Sequence, residues 1–147
     1  MTSGPISGSQ PDRAWRIYAP QPAILRVYVA GAIAIGDALL NVRRAIVVGR
    51  CLMKHGLVPY IPHESCFWTL AYHDISREEW LAYDKKWIDV CDALLWDTTR
   101  MPGESKGAEH EWYYARERGL PVFHRIETLL EAAGIAQIPE YMIKSEE

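Results

Sequence analysis

The chain has 147 residues, a formal net charge of -3, 49% hydrophobic and 24% charged residues, a composition that fits one globular domain with room for a core. A small negative charge leaves no electrostatic footprint for polymeric nucleic acid or an anionic membrane, and no apolar run reaches the roughly 18 residues of a membrane span. Three cysteines, an odd number without a CxxC pair, argue against a disulfide framework or a zinc site and fit a reducing, cytoplasmic compartment.

Residues 1–22 are rich in Gly, Ser and Pro without sustained periodicity and read as a loose leader that carries no chemistry. A single domain is expected over residues 23–135, followed by a tail at 136–147. Ile24 to Gly31 is β-branched and aromatic and stops at a glycine, which predicts a buried parallel strand. From Asp37 to His55 apolar residues recur at helical spacing and Gly56 supplies a C-cap. Leu57 to Pro62 predicts a short second strand whose prolines place it at an edge. His63 to Asp74, with Phe67, Trp68, Tyr72 and two histidines, predicts a long aromatic loop of the lid or binding kind.

Ser76-Arg77-Glu78-Glu79 has the form of a capping box and opens a helix running to about Cys91. Asp92 to Asp97 predicts a third strand, and Thr98 to Glu104 a loop ending at Ser105, a natural N-cap. The helix that follows stops at Gly119. Leu120 to His124 predicts a fourth strand and Ile126 to Ala133 a last helix. Strands alternating with helices imply βαβ units, hence an α/β three-layer sandwich of the flavodoxin-like (Rossmann-like) kind with a parallel sheet of four or five strands. Ligands of such sheets sit at the carboxyl ends of the strands, where the loop from Gly31 to Gly36, the aromatic loop and the 98–106 loop converge.

Two acids lie where charge is costly. On the helix after Ser105, positions 107, 111 and 115 share one face and read Gly, Glu and Ala, so Glu111 sits amid small residues that press on a neighbour. On the helix after Ser76, Asp84 falls between Trp80 and Trp87 inside a stripe completed by Leu81, Ile88 and Cys91. Apolar surroundings raise a carboxyl pKa, and two adjacent carboxyls push their values apart, leaving one able to donate a proton and one ionised. Cleavage of a glycosidic bond needs that division of labour.

Ordered pieces over residues 24 to 124 then carry a resemblance. They are Val27-Tyr28-Val29-Ala30-Gly31, Asn41 with Ala45, Gly56 through His63, Tyr83-Asp84 with Asp92-Ala93-Leu94-Leu95, Ser105 through Glu111 with Ala115, and Gly119-Leu120-Pro121-Val122. Together they resemble the nucleoside 2-deoxyribosyltransferase-like superfamily, including its 2'-deoxynucleoside 5'-phosphate N-hydrolase branch. The resemblance implies that Glu111 is the nucleophile taking C1' of the sugar, that Asp84 assists protonation and positioning of the base, and that Tyr28 orients the nucleophile. It also implies a homo-oligomer with sites near subunit contacts, and substrate contacts at Gly31 and Gly107.

The transferases usually carry an Asp six residues before the nucleophile, whereas Ser105 stands here, as in the nucleotide hydrolases that hold a 5'-phosphate there. A hydroxyl and the free N–H groups of a helix start attract phosphate, which an Asp would repel. The first loop, Ala32-Ile33-Ala34-Ile35-Gly36, departs from that branch in lacking its Ser and Arg. His63 and Trp68 lie where a loop covers the base, and Asn41 either binds substrate or caps the first loop. No HExxH, P-loop or GxGxxG occurs, so neither metal nor dinucleotide cofactor is inferred. The expected activity is hydrolysis of a (deoxy)nucleoside 5'-monophosphate; base exchange between nucleosides and a silent nucleotide-binding domain are the alternatives.

Overall fold

In the computed structural model, which describes residues 24–143, four parallel strands stand in the order β2-β1-β3-β4: β1 (Arg26–Val29), β2 (Val58–Tyr60), β3 (Ala93–Leu95) and β4 (Val122–Phe123). Helices α1 (Ala38–Lys54), α2 (Arg77–Val90), α3 (Lys106–Glu117) and α4 (Ile126–Ala132) connect and cover them, and a short α5 (Glu140–Ile143) follows. This is a flavodoxin-like three-layer α/β fold. The chain turns from β1 outward to β2 and then crosses back to β3, so the reversal of strand order falls between β1 and β3. That position is where such sheets open a crevice for ligands.

Val27, Tyr28 and Val29 are wholly buried, and the pleat sends neighbours to opposite faces. Val27 and Val29 join Ala45, Val48, Leu52, Leu129 and Leu130 in a core beneath α1 and α4. Tyr28 joins Ile88, Leu94, Ala108 and Ala115 beneath α2 and α3. A tyrosine thus enters the core on the side where both acid-bearing helices lie.

Local signals set the helix ends. Asp37 accepts the Leu40 N–H at 3.0 Å, Ser76 and Glu79 form a reciprocal capping box, and Gly56 and Gly119 close helices at φ +80° and +74°. At the foot of the sheet Asp92 accepts the N–H groups of Leu25 and Arg26 at 3.2 and 2.8 Å and pairs with the Arg26 guanidinium at 3.1 Å. The strands are shorter than the predicted apolar runs, because only residues facing a neighbour's ladder join the sheet.

The predicted aromatic loop is a correction. Pro62–Leu70 forms a 3-10 helix, entered through Pro62, whose fixed φ suits a first helical position. The apolar stripe drawn along α2 is another. Asp84, Ile88 and Cys91 are buried, but Trp87 is 38% exposed and Trp80 only half-buried. Residues 1–23 and 144–147, the predicted leader with its adjoining residue and the end of the tail, lie outside the described residues. The rest of the tail packs on the domain: the Ile138 N–H donates to His55 Nε2 at 2.9 Å and Glu140 reaches Arg100 at 3.6 Å.

Asp97, just beyond β3, is fully buried and accepts the N–H groups of Thr99, Arg100 and Ile126 and the Arg100 guanidinium, at 2.9 to 3.1 Å. Arg100 also bonds Glu127 at 2.7 Å. One carboxylate thereby fixes the loop leading to Ser105 and the start of α4. Replacing it with alanine leaves three backbone donors without their acceptor and the Arg100 guanidinium with only Glu127 and Glu140, and Asp97→Ala is expected to cost about 3–5 kcal/mol. A denaturant midpoint within error of the native one would show that the cluster carries no stability.

Candidate active site

Glu111 on α3 and Asp84 on α2 are both buried, and each lies near enough to Tyr28, and Asp84 to Glu111, for its charge to act there. Glu111 is 7% exposed, Asp84 6%, and the Tyr28 hydroxyl donates to Glu111 Oε1 at 3.0 Å. Ala108 and Ala115 are buried on the same face of α3, and their small side chains let that helix approach the sheet closely enough for the tyrosine to reach the carboxyl. Outside the site, α2 and α3 are tied by Tyr114 donating to Asp89 at 2.8 Å, by the Arg118–Asp89 pair at 3.0 Å, and by Lys85 over the Tyr114 ring at 5.2 Å. These ties lie within two turns of each acid and fix how the two helices pack.

Burial and mutual repulsion shift the titration of the pair. Glu111 is pushed up to about 8, mainly by burial and then by the Asp84 charge, with the Tyr28 hydrogen bond opposing. Asp84 is pushed up to about 6 by burial. The Tyr28 hydroxyl is held well above its ordinary value, first by burial and then by both acids, so it stays a donor. Asp84 Oδ1 is buried without a hydrogen-bond partner, and an unpaired buried acceptor of this kind costs about 1–3 kcal/mol. Burial thus drives both carboxyls toward their protonated forms, and the Asp84 charge adds to that drive at Glu111.

Aromatic rings wall the pair. Tyr60 lies 5.6 Å from Tyr28 and stacks on Trp87 at 4.4 Å; Tyr83, the neighbour of Asp84, stands edge-on to Trp80 and Trp87 at 5.6 and 6.4 Å. Trp68 extends the cluster, 5.4 Å from Trp80 and 48% exposed. Nothing in the sequence singles out the Tyr60–Trp87 stack. Its cue was the aromatic spacing along 80, 83 and 87, which reads as core until the sheet places Tyr60 beside it.

The remaining predicted residues divide. Ser105 is buried and caps α3, its Oγ accepting the Ala108 N–H at 3.1 Å, which leaves the hydroxyl proton for another acceptor. Gly107, half-buried in the first turn, has only Ser105 Oγ near the place a Cβ would take, at 3.8 Å. Gly31 follows β1 under Met101, and a Cβ there would overlap the Met101 methyl and come 3.3 Å from His63 Nε2. Asn41 holds the first loop, its amide donating to Ile33 and Ile35 carbonyls at 3.2 and 2.7 Å. His63 is wholly buried, pushed down to about 4 by burial with the Ala32 backbone opposing, and neither ring nitrogen has a well-formed hydrogen bond. It is therefore a neutral imidazole at the rim, away from the carboxyl pair's own hydrogen bonds.

Two hollows of about 360 Å³ lie elsewhere, one between α1, α4 and the 137–143 segment, the other between α1 and β2. Neither is lined by Glu111 or Asp84, so volume alone points away from the buried acids, and the two buried carboxyls with raised pKa values are the stronger guide. Among the described residues no group of three or more His, Cys, Asp or Glu side chains could hold a metal ion, and no helix is long and apolar enough to cross a membrane. Fold and site together define a class: a flavodoxin-like three-layer protein with two buried carboxyl groups and a tyrosine at the switch point of its sheet. No family model matches the chain, and no curated protein does.

Proposed function

We propose that this protein is an N-glycosidase that cleaves the base from a (deoxy)nucleoside 5'-monophosphate through a covalent glycosyl-Glu111 intermediate, with water as acceptor. The observation that carries the reading is the burial of Glu111 and Asp84 on adjacent helices, both raised in pKa, with the Tyr28 hydroxyl fixed on Glu111. The Glu111 carboxylate attacks C1', the bond from C1' to the base nitrogen breaks with its electron pair leaving on the base, and Asp84 supplies the proton that nitrogen takes. Asp84, now ionised, accepts a proton from water as its oxygen attacks C1' and frees the Glu111 carboxylate. The Tyr28 hydrogen bond steadies Glu111 as an anion both before attack and on release.

Ser105 at the start of α3 supports a phosphate-bearing substrate, since its hydroxyl and the first N–H groups of a helix attract an anion. Ser105→Asp keeps a good N-cap while placing a negative charge there. Its KM for monophosphates is expected to rise at least about tenfold while that for the matching nucleosides barely moves; equal losses for both would remove Ser105 from phosphate binding. The exposed Phe67, Trp68, Leu70 and Tyr72, of which Trp68 packs against Trp80 and Tyr83, support a homo-oligomer, and the free Cys51, Cys66 and Cys91 fit a reducing cytoplasm.

The test is a panel of nucleosides and monophosphates incubated with and without a second free base. Base release confined to monophosphates is the expected result. Exchange of one base for another would make the protein a transferase, and binding without turnover a nucleotide sensor.

A further inference from the structure

We propose that the leader docks back on its own domain, with Trp15 seated in the hollow between α1 and β2 and Arg16 beside Glu64 on the rim. Residues 1–13 and 19–23 are mostly Gly, Ser, Pro, Ala and polar side chains, whereas Ala14-Trp15-Arg16-Ile17-Tyr18 sets a Trp, an Ile and a Tyr close together. Segments that stay solvated carry few aromatic and β-branched residues, so this cluster is the part of the leader with something to bury. The hollow, of about 360 Å³, has apolar walls: Ile46 and Met53 of α1, 47% and 56% exposed, and Pro59, Tyr60 and Ile61 in and just after β2. At Gly49 a Cβ would overlap the Ile61 Cδ1 methyl, so helix and strand close on one another there.

Position, chemistry and tethering select this occupant. The leader joins the domain at Ile24, two residues before β1, and β1 pairs with β2 in the register Val27 to Pro59. The β2 wall of the hollow therefore begins one strand spacing of about 5 Å across and about 10 Å along from Ile24, and the five residues 19–23 reach up to about 17 Å. The walls are apolar and the rim carries one acid, Glu64, which matches a Trp followed by an Arg; Arg50 of α1 has its own partner and takes no part. The other hollow is closed on one side by the 137–143 segment and crossed by the Arg100–Glu127 and Arg100–Glu140 pairs, which suits an indole less. A strand from a second copy gains no ladder at this edge: the Val58 N–H is spent inward on Leu25 at 2.8 Å, and Pro59, the next position, has no N–H to offer. A short tether holds the leader near the hollow at a roughly millimolar effective concentration, so a modest apolar contact is enough to fill it. Tyr60 belongs both to the hollow and to the ring cluster around Tyr28, so the docked leader touches a wall of the carboxyl site.

The test uses the full chain in two ways. In methyl NMR spectra the Trp15 indole is expected to show contacts with the methyls of Ile46, Met53 and Ile61, and Trp15→Ala to remove the ring-current shifts of those methyls while circular dichroism and Tm stay unchanged. Trypsin cleavage after Arg16, divided by its rate in a free peptide of residues 10–22 with the same sequence, is expected to be at least about tenfold faster in Ile46→Asp and in Trp15→Ala than in the native chain. Glu64→Lys should speed it by about two- to fivefold, the worth of one surface ion pair. Met53→Glu gives the same reading should Ile46→Asp lose its helical signal. Native cleavage as fast as that of the hollow variants, or methyl shifts that Trp15→Ala leaves in place, overturns the proposal. So do indole contacts with methyls elsewhere in the domain, and contacts that appear only between separately labelled chains, which would put the leader on a second copy.

Discussion

Glu111→Gln is expected to lower turnover of the released base by at least about 10⁴-fold, the scale of losing a covalent nucleophile, and to leave the fold and substrate affinity in place. The amide oxygen still accepts from the Tyr28 hydroxyl, which sits 3.0 Å away, so the buried tyrosine keeps its partner. Stability should be equal to or greater than that of the native chain at neutral pH, because glutamine has no charged form to desolvate. Glu111→Ala also removes the nucleophile but strands the Tyr28 hydroxyl, at a cost of about 1–3 kcal/mol. The pair of variants separates chemistry from folding. Activity within a factor of about 10 of native in a folded Glu111→Gln protein would remove the nucleophile from the mechanism, since no other group replaces a covalent step at that rate.

Asp84→Asn is expected to cut turnover by about 10²–10⁴-fold, the usual worth of a positioned general acid, and to change the shape of the pH profile. In the native protein kcat/KM should follow a bell with limbs near 6 and 8, set by the shared titration of Asp84 and Glu111; these limbs belong to the pair. Below the lower limb the site holds two protons and no nucleophile. Above the upper limb it holds none to give the base. In Asp84→Asn only Glu111 remains to ionise, still raised mainly by burial but free of the like charge, so the alkaline limb should vanish and the acid limb should move up from near 6 without reaching 8. A substrate whose base leaves without protonation should lose least. An unaltered bell would show that the limbs arise elsewhere.

Linkage gives the same pair a stability signature. Both folded values lie above the ordinary 4.5 of Glu111 and 3.8 of Asp84, so the folded protein binds these protons more tightly than the unfolded chain. Their contribution is fully present below the ordinary values and is lost as pH rises, through about 6 for Asp84 and about 8 for Glu111. Stability relative to Glu111→Gln should therefore fall between about pH 5 and 8. A denaturant series across that range reads the slope directly.

Much of this was written locally. The order of strands and helices, the capping box at Ser76, the caps at Asp37 and Ser105 and the glycine stops at 56 and 119 follow from signals within a few residues, because caps and turns are satisfied by neighbours in the chain. The two acids were legible for the same reason: helical spacing alone puts Glu111 between Gly107 and Ala115, and Asp84 on the Trp80–Trp87 side of its helix. Asp97 was less legible, although an Asp followed by Thr-Thr-Arg at a strand end is a known turn signal.

What the sequence by itself determined is which side chains lie on inward faces and where elements begin and end, since both depend on periodicity and on short-range hydrogen bonds. Only the tertiary structure decided what those faces meet. That Tyr28 rises on the α2–α3 side of β1 to reach Glu111, that Tyr60 from an edge strand stacks on Trp87, that Pro62–Leu70 coils, and that residues 138 and 140 bind back to His55 and Arg100 are contacts between distant segments. Such contacts are set by strand order and by the one packing in which both faces of the sheet are covered, and no local pattern encodes them.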